Sequence, residues 1–335
     1  MNRLVILAPN WLGDAVMALP AIADVRRGAP HAHITVAARP SVAPLFRLAP
    51  TVDAVVVLER KASIGRVSSW RELGVELAGG GFDAALLLPN SMHAALVASR
   101  AGIPERWGYR TSFRSRLLTR GVHPPSGLHQ VEYYQQLVHA LGFPNGPIEP
   151  HLPVPADVRD AAAEILTSAG WDGRARLAAV APGAAYGGAK RWAPQSFAEL
   201  VDALARDGVQ SVLIGSPADA ATGTEVLSGV SRRDAVLNLM GRTDLAALAG
   251  ALTHCRALIT NDSGAMHLAA AIGVAVTAVF GPTDERVTRP LGDAHVVITH
   301  DVWCRPCMLR ECPLDHGCMR GIHPAAVLEA ARRNL

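Results

Sequence analysis

Residues 257–282 read ALITNDSGAMHLAAAIGVAVTAVFGP. An apolar run over 257–260 stops at Asn261-Asp262-Ser263-Gly264. A helical stretch follows over 263–272, and a second apolar run over 275–280 ends in Gly281-Pro282. Unbroken apolar runs of this length suit strands buried on both faces, and a helix between two of them makes a parallel crossover. The same alternation extends in both directions. Apolar runs at 4–7, 34–37, 54–58 and 84–88 come with helical stretches over 13–27 and 70–78. A second series has runs at 177–181 and 209–214 with helical stretches over 194–206 and 243–253. Between the series lie Pro144, Pro147, Pro150, Pro153 and Pro155, a density that no helix or central strand tolerates. The expectation is an α/β chain of two doubly wound parallel sheets: residues 1–155 including the linker, and 156–335. No internal sequence repeat is visible.

Composition narrows the class. The chain has 335 residues, of which 50% are hydrophobic and 18% charged, so it can build a core and is not disordered. The apolar stretch over 268–280 is well short of the about 20 residues a membrane span needs. Pro9, Asn10 and Asp14 follow the first apolar run too soon for a signal peptide, which points to the cytoplasm. A net charge of +3 is too mild for a dedicated nucleic-acid binder, but it suits an anionic substrate or membrane surface. Five cysteines in a chain this long do not make a disulfide scaffold.

In open parallel sheets, ligands bind outside the carboxyl ends of the strands. Three segments fall there. In Pro9-Asn10-Trp11-Leu12-Gly13-Asp14, the carboxylate of Asp14 is either a first-turn helix acid or a base for a substrate hydroxyl, and it can be both. Residues 182–192, PGAAYGGAKRW, depart from the Walker A pattern, because Ala189 separates Gly188 from Lys190 and Arg191 stands where Ser or Thr belongs. They read as a flexible loop with solvated charges, or as a cradle in which Gly183, Gly187 and Gly188 let backbone N–H groups reach an anion that Lys190 neutralises. In the third, Asn261 to His267, Ser263 and Gly264 open a helix whose first N–H groups are free for an anion. There Asp262 is a cap or a partner for sugar hydroxyls, and His267 reads as a packed histidine.

Near the carboxyl terminus, Cys304, Cys307, Cys312 and Cys318 follow the spacing C-x2-C-x4-C-x5-C. Four thiolates suit a structural zinc or iron; the alternatives are reduced thiols in a compact knuckle, or a disulfide. Cys255 reads as core. Arg100, Arg106, Arg110, Arg114, Arg116 and Arg120, with Arg60, Lys61 and Arg66, enrich the first domain in cations. They form a solvated face or a site for phosphate- and carboxylate-bearing ligands. No aromatic ladder alternates with them, which argues against single-stranded nucleic acid.

PNWLGDAVMALPAI, APGAAYGGAKRW, NDSGAMHLAAAIG and FGPTDE together resemble glycosyltransferase family 9 over nearly the full length, and within it the heptosyltransferase II branch. The tail WCRPCMLRECPLDHGCMRGI is similar to the cysteine-containing form found in part of the family. The resemblance implies a GT-B fold, two Rossmann-like domains facing across a cleft. The amino-terminal one would take the acceptor. The carboxyl-terminal one, with the cysteine segment 304–318 and a final helix, would take the nucleotide sugar. It implies inverting transfer of L-glycero-D-manno-heptose from ADP-heptose to the first heptose of the Kdo-lipid A inner core. It implies no cofactor for the chemistry and a peripheral position at the inner face of the inner membrane. By resemblance Asp14 is the general base, Lys190 binds the diphosphate, Asp262 contacts the donor heptose, and Ser263 and Gly264 form the phosphate-facing helix start. The likeness gives the cysteines no such role.

Three other readings compete. One is a family relative with a different donor or acceptor, including a heptosyltransferase I-like enzyme or one that modifies protein. Another is an NAD(P)-dependent oxidoreductase, against which the first loop lacks the glycine triad. The third is a non-catalytic two-domain binding protein, a class usually exported.

Overall fold

The apolar runs become strands of two parallel sheets in a computed structural model that describes residues 1–59, 66–111 and 113–335. The chain divides into two units, Met1–Pro153 and Val154–Leu335. In the first, β1 (Arg3–Leu7), β2 (His33–Ala38), β3 (Ala54–Val57), β4 (Ala84–Leu87), β5 (Glu105–Tyr109) and β6 (Arg120–Val122) lie in the order β3-β2-β1-β4-β5-β6. In the second, β7 (Arg176–Ala181), β8 (Val209–Leu213), β9 (Val236–Asn238), β10 (Cys255–Asn261), β11 (Ala275–Phe280) and β12 (Val296–Thr299) lie in the order β12-β11-β10-β7-β8-β9. Counted from its own first strand, each sheet has the order 3-2-1-4-5-6, and every pairing is parallel.

That order fixes where a ligand goes. In each sheet the winding reverses between the first and fourth strands, and the crevice at their carboxyl ends is the binding position of doubly wound folds. The paired strands there are β1 with β4 and β7 with β10; Leu7 lies opposite Leu87, and Thr260 opposite Ala181. These central strands are almost wholly buried, while β3 and β12 at the edges are only half-buried. Tight side-chain packing on both faces holds the carboxyl ends rigid, so the loops that leave them are well placed.

Several elements differ from the pattern read in the sequence. The stretch 13–27 is two helices, Leu12–Met17 and Leu19–Gly28, because Pro20 has no N–H to bond the carbonyl one turn earlier. β5 reads ERWGY, so the run that looked like a charged surface is a strand. Arg114 is fully buried and donates to the carbonyls of Tyr109, Pro89 and Ser91 and to Asn90 Oδ1. Arg106 donates to the carbonyls of Ile103, Pro104 and Leu117. Arg120 donates to the Leu141 carbonyl and lies 5.4 Å from the Trp107 ring. Three of the six arginines therefore serve the fold, while Arg100, Arg110 and Arg116 are exposed. Arg60 and Lys61 lie outside the described residues, as does the side chain of Arg66.

The proline-rich stretch has no regular structure. Its beginning is tied to the first unit: Gln135 Nε2 donates to the carbonyls of Gly146 and Pro147, and to Asp24 Oδ2 at 2.8 Å. No described helix is long and apolar enough to cross a membrane.

Candidate active site

In the second unit two of the three segments, 182–192 and 261–267, meet at the ends of β7 and β10. Asn261 closes β10, and its side chain joins the strands' outgoing loops. Asn261 Nδ2 donates to the Pro182 carbonyl at 2.7 Å, and Asn261 Oδ1 accepts from the Trp192 N–H at 3.0 Å. Trp192 is buried against Phe197, and its indole N–H donates to the Ile322 carbonyl. One asparagine and one tryptophan thus fix both ends of the loop that carries Gly183, Gly187, Gly188 and Lys190.

Lys190 Nζ lies 2.5 Å from Asp262 Oδ2, and Thr283 Oγ1 donates to the same oxygen at 2.7 Å. The two charged side chains are 12% and 7% exposed, enough to meet a ligand at the strand ends and too little to be solvated like surface groups. The ring of Tyr186 lies 4.7 Å from Lys190 Nζ. Ser263 is the N-cap of the helix Gly264–Ala271, yet its side chain caps no N–H; its hydroxyl lies 3.0 Å from that of Thr260 instead. The first N–H groups of that helix keep their capacity for an outside acceptor. A cation, a carboxylate and an uncapped helix start in one place can hold an anion and neighbouring hydroxyls. His267 is buried in the same helix, as a packed histidine would be.

In the first unit Asp14 lies in the first turn of Leu12–Met17, not at its cap, which is Trp11. Asp14 is partly exposed, and Trp11 is 52% exposed. The helix Gln130–Ala140 brings Tyr134 close to it. Burial, with the Asp14 charge second, holds the Tyr134 phenol well above its ordinary pKa, so it stays protonated beside the carboxylate.

A crevice open to solvent lies at the same sheet's carboxyl edge. Leu7, Ala8 and Ala37 give it apolar walls, and Asn10, Arg39, Ser91 and His93 give it polar ones. The hydrogen bonds of Arg114 to Pro89, Asn90 and Ser91 hold one side of this opening. The arginine set read in the sequence as a solvated face or an anion site includes Arg114, which is neither: it is buried and shapes the loop.

The four-cysteine segment departs from expectation. All five cysteines are free thiols. Cys318 is buried in the core of the second unit, and burial and the three other thiols push its pKa up. Among the described residues no three His, Cys, Asp or Glu side chains are arranged to hold a metal ion. Cys304, Cys307 and Cys312 lie on an irregular segment, while Cys318 points into the core from the short helix Gly317–Arg320. Spacing alone therefore did not bring the four thiols into one ligand set. Cys255 is buried in β10, and burial pushes its thiol up to about 12, as a core cysteine requires.

Sequence reading missed Thr283, which holds Asp262, and Tyr186, which touches Lys190. It missed Tyr134 as well. Thr283 stands in FGPTDE and Tyr186 in the glycine-rich loop, so both were inside quoted motifs; Tyr134 lies on a helix with no motif at all.

Comparison with known proteins places this geometry. The family model for glycosyltransferase family 9 (heptosyltransferase) matches residues 70–317. Lipopolysaccharide heptosyltransferase 2 of Escherichia coli is 31% identical over 88% of this chain and 87% of that protein. The solved structure of E. coli ADP-heptose lipopolysaccharide heptosyltransferase II has a TM-score of 0.85 at 30% identity, covering 99% of this chain and 98% of that one. A family 9 glycosyl transferase from Veillonella parvula has a TM-score of 0.86 at 23% identity, covering 99% and 96%, and supports the fold. Two Rossmann-like units of this topology in one chain are the GT-B class. The chain belongs to glycosyltransferase family 9, the heptosyltransferases, and is a sugar-transferring enzyme.

Proposed function

We propose that the enzyme transfers L-glycero-D-manno-heptose from ADP-heptose to the first heptose of the lipopolysaccharide inner core, with inversion at the anomeric carbon. The observation that carries this reading is the Lys190–Asp262 pair at the reversal point of the second sheet, beside an uncapped helix start. A diphosphate needs a cation and N–H donors, and a sugar needs a carboxylate for its hydroxyls; this place offers both. The names of the two E. coli relatives specify heptosyl transfer, and that of the solved E. coli structure adds ADP-heptose.

In the proposed reaction Asp14 takes the proton of the acceptor hydroxyl as its oxygen attacks the anomeric carbon. The bond from that carbon to the β-phosphate oxygen breaks through an oxocarbenium-like state, as in glycoside hydrolysis. ADP leaves with added charge on the β-phosphate, which Lys190 and the N–H groups at Ser263 and Gly264 offset. Asp262 orients the heptose while Thr283 holds Asp262. The protonated Tyr134 sets the environment of the base.

The acceptor's sugars suit the crevice beside Asn10, with Arg39 for a carboxylate or phosphate. The acceptor is a lipid, so the enzyme works as a peripheral protein at the inner face of the inner membrane. The KM for acceptor then rises with salt more than the KM for donor, because charge pairing is screened.

Titration calorimetry tests the donor. ADP-heptose and ADP should bind, and UDP-sugars should bind far more weakly. Tighter binding of a UDP-sugar would remove the ADP-heptose reading.

A further inference from the structure

The stretch between Cys307 and Cys312 lies against the glycine-rich loop that follows β7. Three hydrogen bonds join them. The Tyr186 hydroxyl donates to the Met308 carbonyl at 2.9 Å, the Ala189 N–H donates to the Arg310 carbonyl at 2.9 Å, and the Gly188 N–H donates to Glu311 Oε1 at 3.0 Å. A Cβ on Gly187 would run into the Arg310 carbonyl, and one on Gly188 would stand 2.6 Å from Glu311 Oε2. Gly187 is therefore needed for the backbone of the cysteine-bearing segment to approach, whereas at Gly188 only the flexible Glu311 carboxylate stands in the way. Met308 takes left-handed backbone (φ 56°), a region that disfavours non-glycine residues. Its N–H donates to the Pro282 carbonyl at 2.9 Å while its carbonyl accepts from Tyr186, so contacts on both sides hold it there.

The charges in this contact point the same way. Lys190 Nζ lies 4.7 Å from the centre of the Tyr186 ring, and the Arg310 guanidinium carbon lies 5.1 Å from it. Two cations share one ring, although they are 120 residues apart in sequence (310 − 190). The Arg310 side chain is exposed and free to turn toward a ligand. Beside it, the Glu311 carboxylate already occupies one N–H of the loop. Such N–H groups in glycine-rich loops are the usual donors to phosphate oxygens. An internal anion thus marks where an external one fits.

We propose that Arg310 is a second diphosphate-binding cation, carried to the donor site by the cysteine-bearing segment, and that Glu311 yields the Gly188 N–H when a nucleoside diphosphate binds. This rests on the reading that the glycine-rich loop faces the donor's diphosphate. Arg310 and Lys190 do different work there: the guanidinium fork can take two phosphate oxygens, and the ammonium acts as a point charge.

Calorimetry on the full chain with ADP and with AMP tests the proposal. Arg310→Ala should lower ADP affinity by about tenfold to a hundredfold, the range of a charged hydrogen bond, while AMP affinity changes little. Arg310→Lys should recover part of the loss. Glu311→Gln keeps an acceptor for the Gly188 N–H but removes the competing charge, so ADP should bind more tightly. Thermal unfolding shows that each variant is folded, and Lys190→Ala is measured in parallel. If Lys190→Ala loses ADP affinity and Arg310→Ala keeps it, Arg310 is not a diphosphate ligand, and the donor reading stands. If neither variant loses affinity, the donor loop has been misplaced, and the proposal falls with it.

Discussion

Lys190 and Asp262 lie on loops 72 residues apart in sequence, and their charged atoms are 2.5 Å apart. The pair is formed before any ligand arrives, so each side chain already points to the strand ends where the ligand must bind. Such pre-set charges cost little reorganisation when leaving-group charge develops. Lys190→Ala should weaken ADP and ADP-heptose alike and slow transfer. Asp262→Asn should weaken ADP-heptose while ADP binding holds. Calorimetry with both ligands on both variants checks this, and equal losses for the two ligands in Asp262→Asn would remove the sugar contact.

Asp14→Asn keeps the size of the side chain and its place in the first helical turn, but cannot take a proton. Loss of a positioned base costs roughly 10²–10⁴-fold in rate. The variant should lose kcat on that scale and bind ADP-heptose like the parent, because the donor residues all belong to the other unit. Steady-state kinetics beside donor calorimetry is the check; a near-normal kcat at neutral pH takes Asp14 out of the mechanism.

Arg114 is a buried cation, and burial pushes its pKa down to about 10, which still leaves it charged at neutral pH. Its charge is compensated by carbonyls and one amide, which need a planar, branched donor. Arg114→Lys cannot reach them all and should destabilise the first unit by about 2–4 kcal/mol. It should also raise the acceptor KM, because Pro89 and Ser91 line the crevice. Denaturant unfolding followed through the first unit's tyrosines and tryptophans reads the stability. No loss of stability would mean that the loop holds itself.

His139 Nε2 lies 2.9 Å from Asp24 Oδ2, and Asp24 also pairs with Arg27. Asp24 alone would raise the histidine pKa. Burial, and then the Arg27 cation that already takes up the Asp24 charge, lower it instead. The folded form therefore holds the neutral ring, and the unfolded chain binds the proton first as pH falls. This contribution is complete above the ordinary histidine pKa of 6.5 and is lost as pH falls from there through the lowered folded pKa. The melting temperature of the parent should drop between about pH 7.5 and about pH 5, and His139→Gln should flatten part of that drop. Equal slopes for the two proteins would assign the drop to other groups.

The central strands were legible because burial on both faces demands unbroken apolar runs, as in 177–181 and 275–280. β5 was not, because its Glu105 and Arg106 satisfy themselves locally: Glu105 accepts from Trp107 and Thr119, and Arg106 reaches nearby carbonyls. The short edge strands β6, β9 and β12 carry too few buried residues to leave a pattern. The loops holding Asp14, Lys190 and Asp262 were legible from their place after strands, whereas their supports were not. The Asp14 charge acts on Tyr134 across more than a hundred residues, and Arg310 meets the Tyr186 ring from the far end of the chain. Cysteine spacing said that thiols are close in sequence; it held no information on the loop against which the segment packs.

The most direct measurement is a transfer assay with the purified full chain, ADP-heptose and heptosyl-Kdo-lipid A, followed by mass spectrometry of the lipid product. The expected result is one added heptose per acceptor with stoichiometric release of ADP, and no product from UDP-sugars. An unmodified acceptor with ADP-heptose, under conditions where a UDP-sugar is transferred, would contradict it.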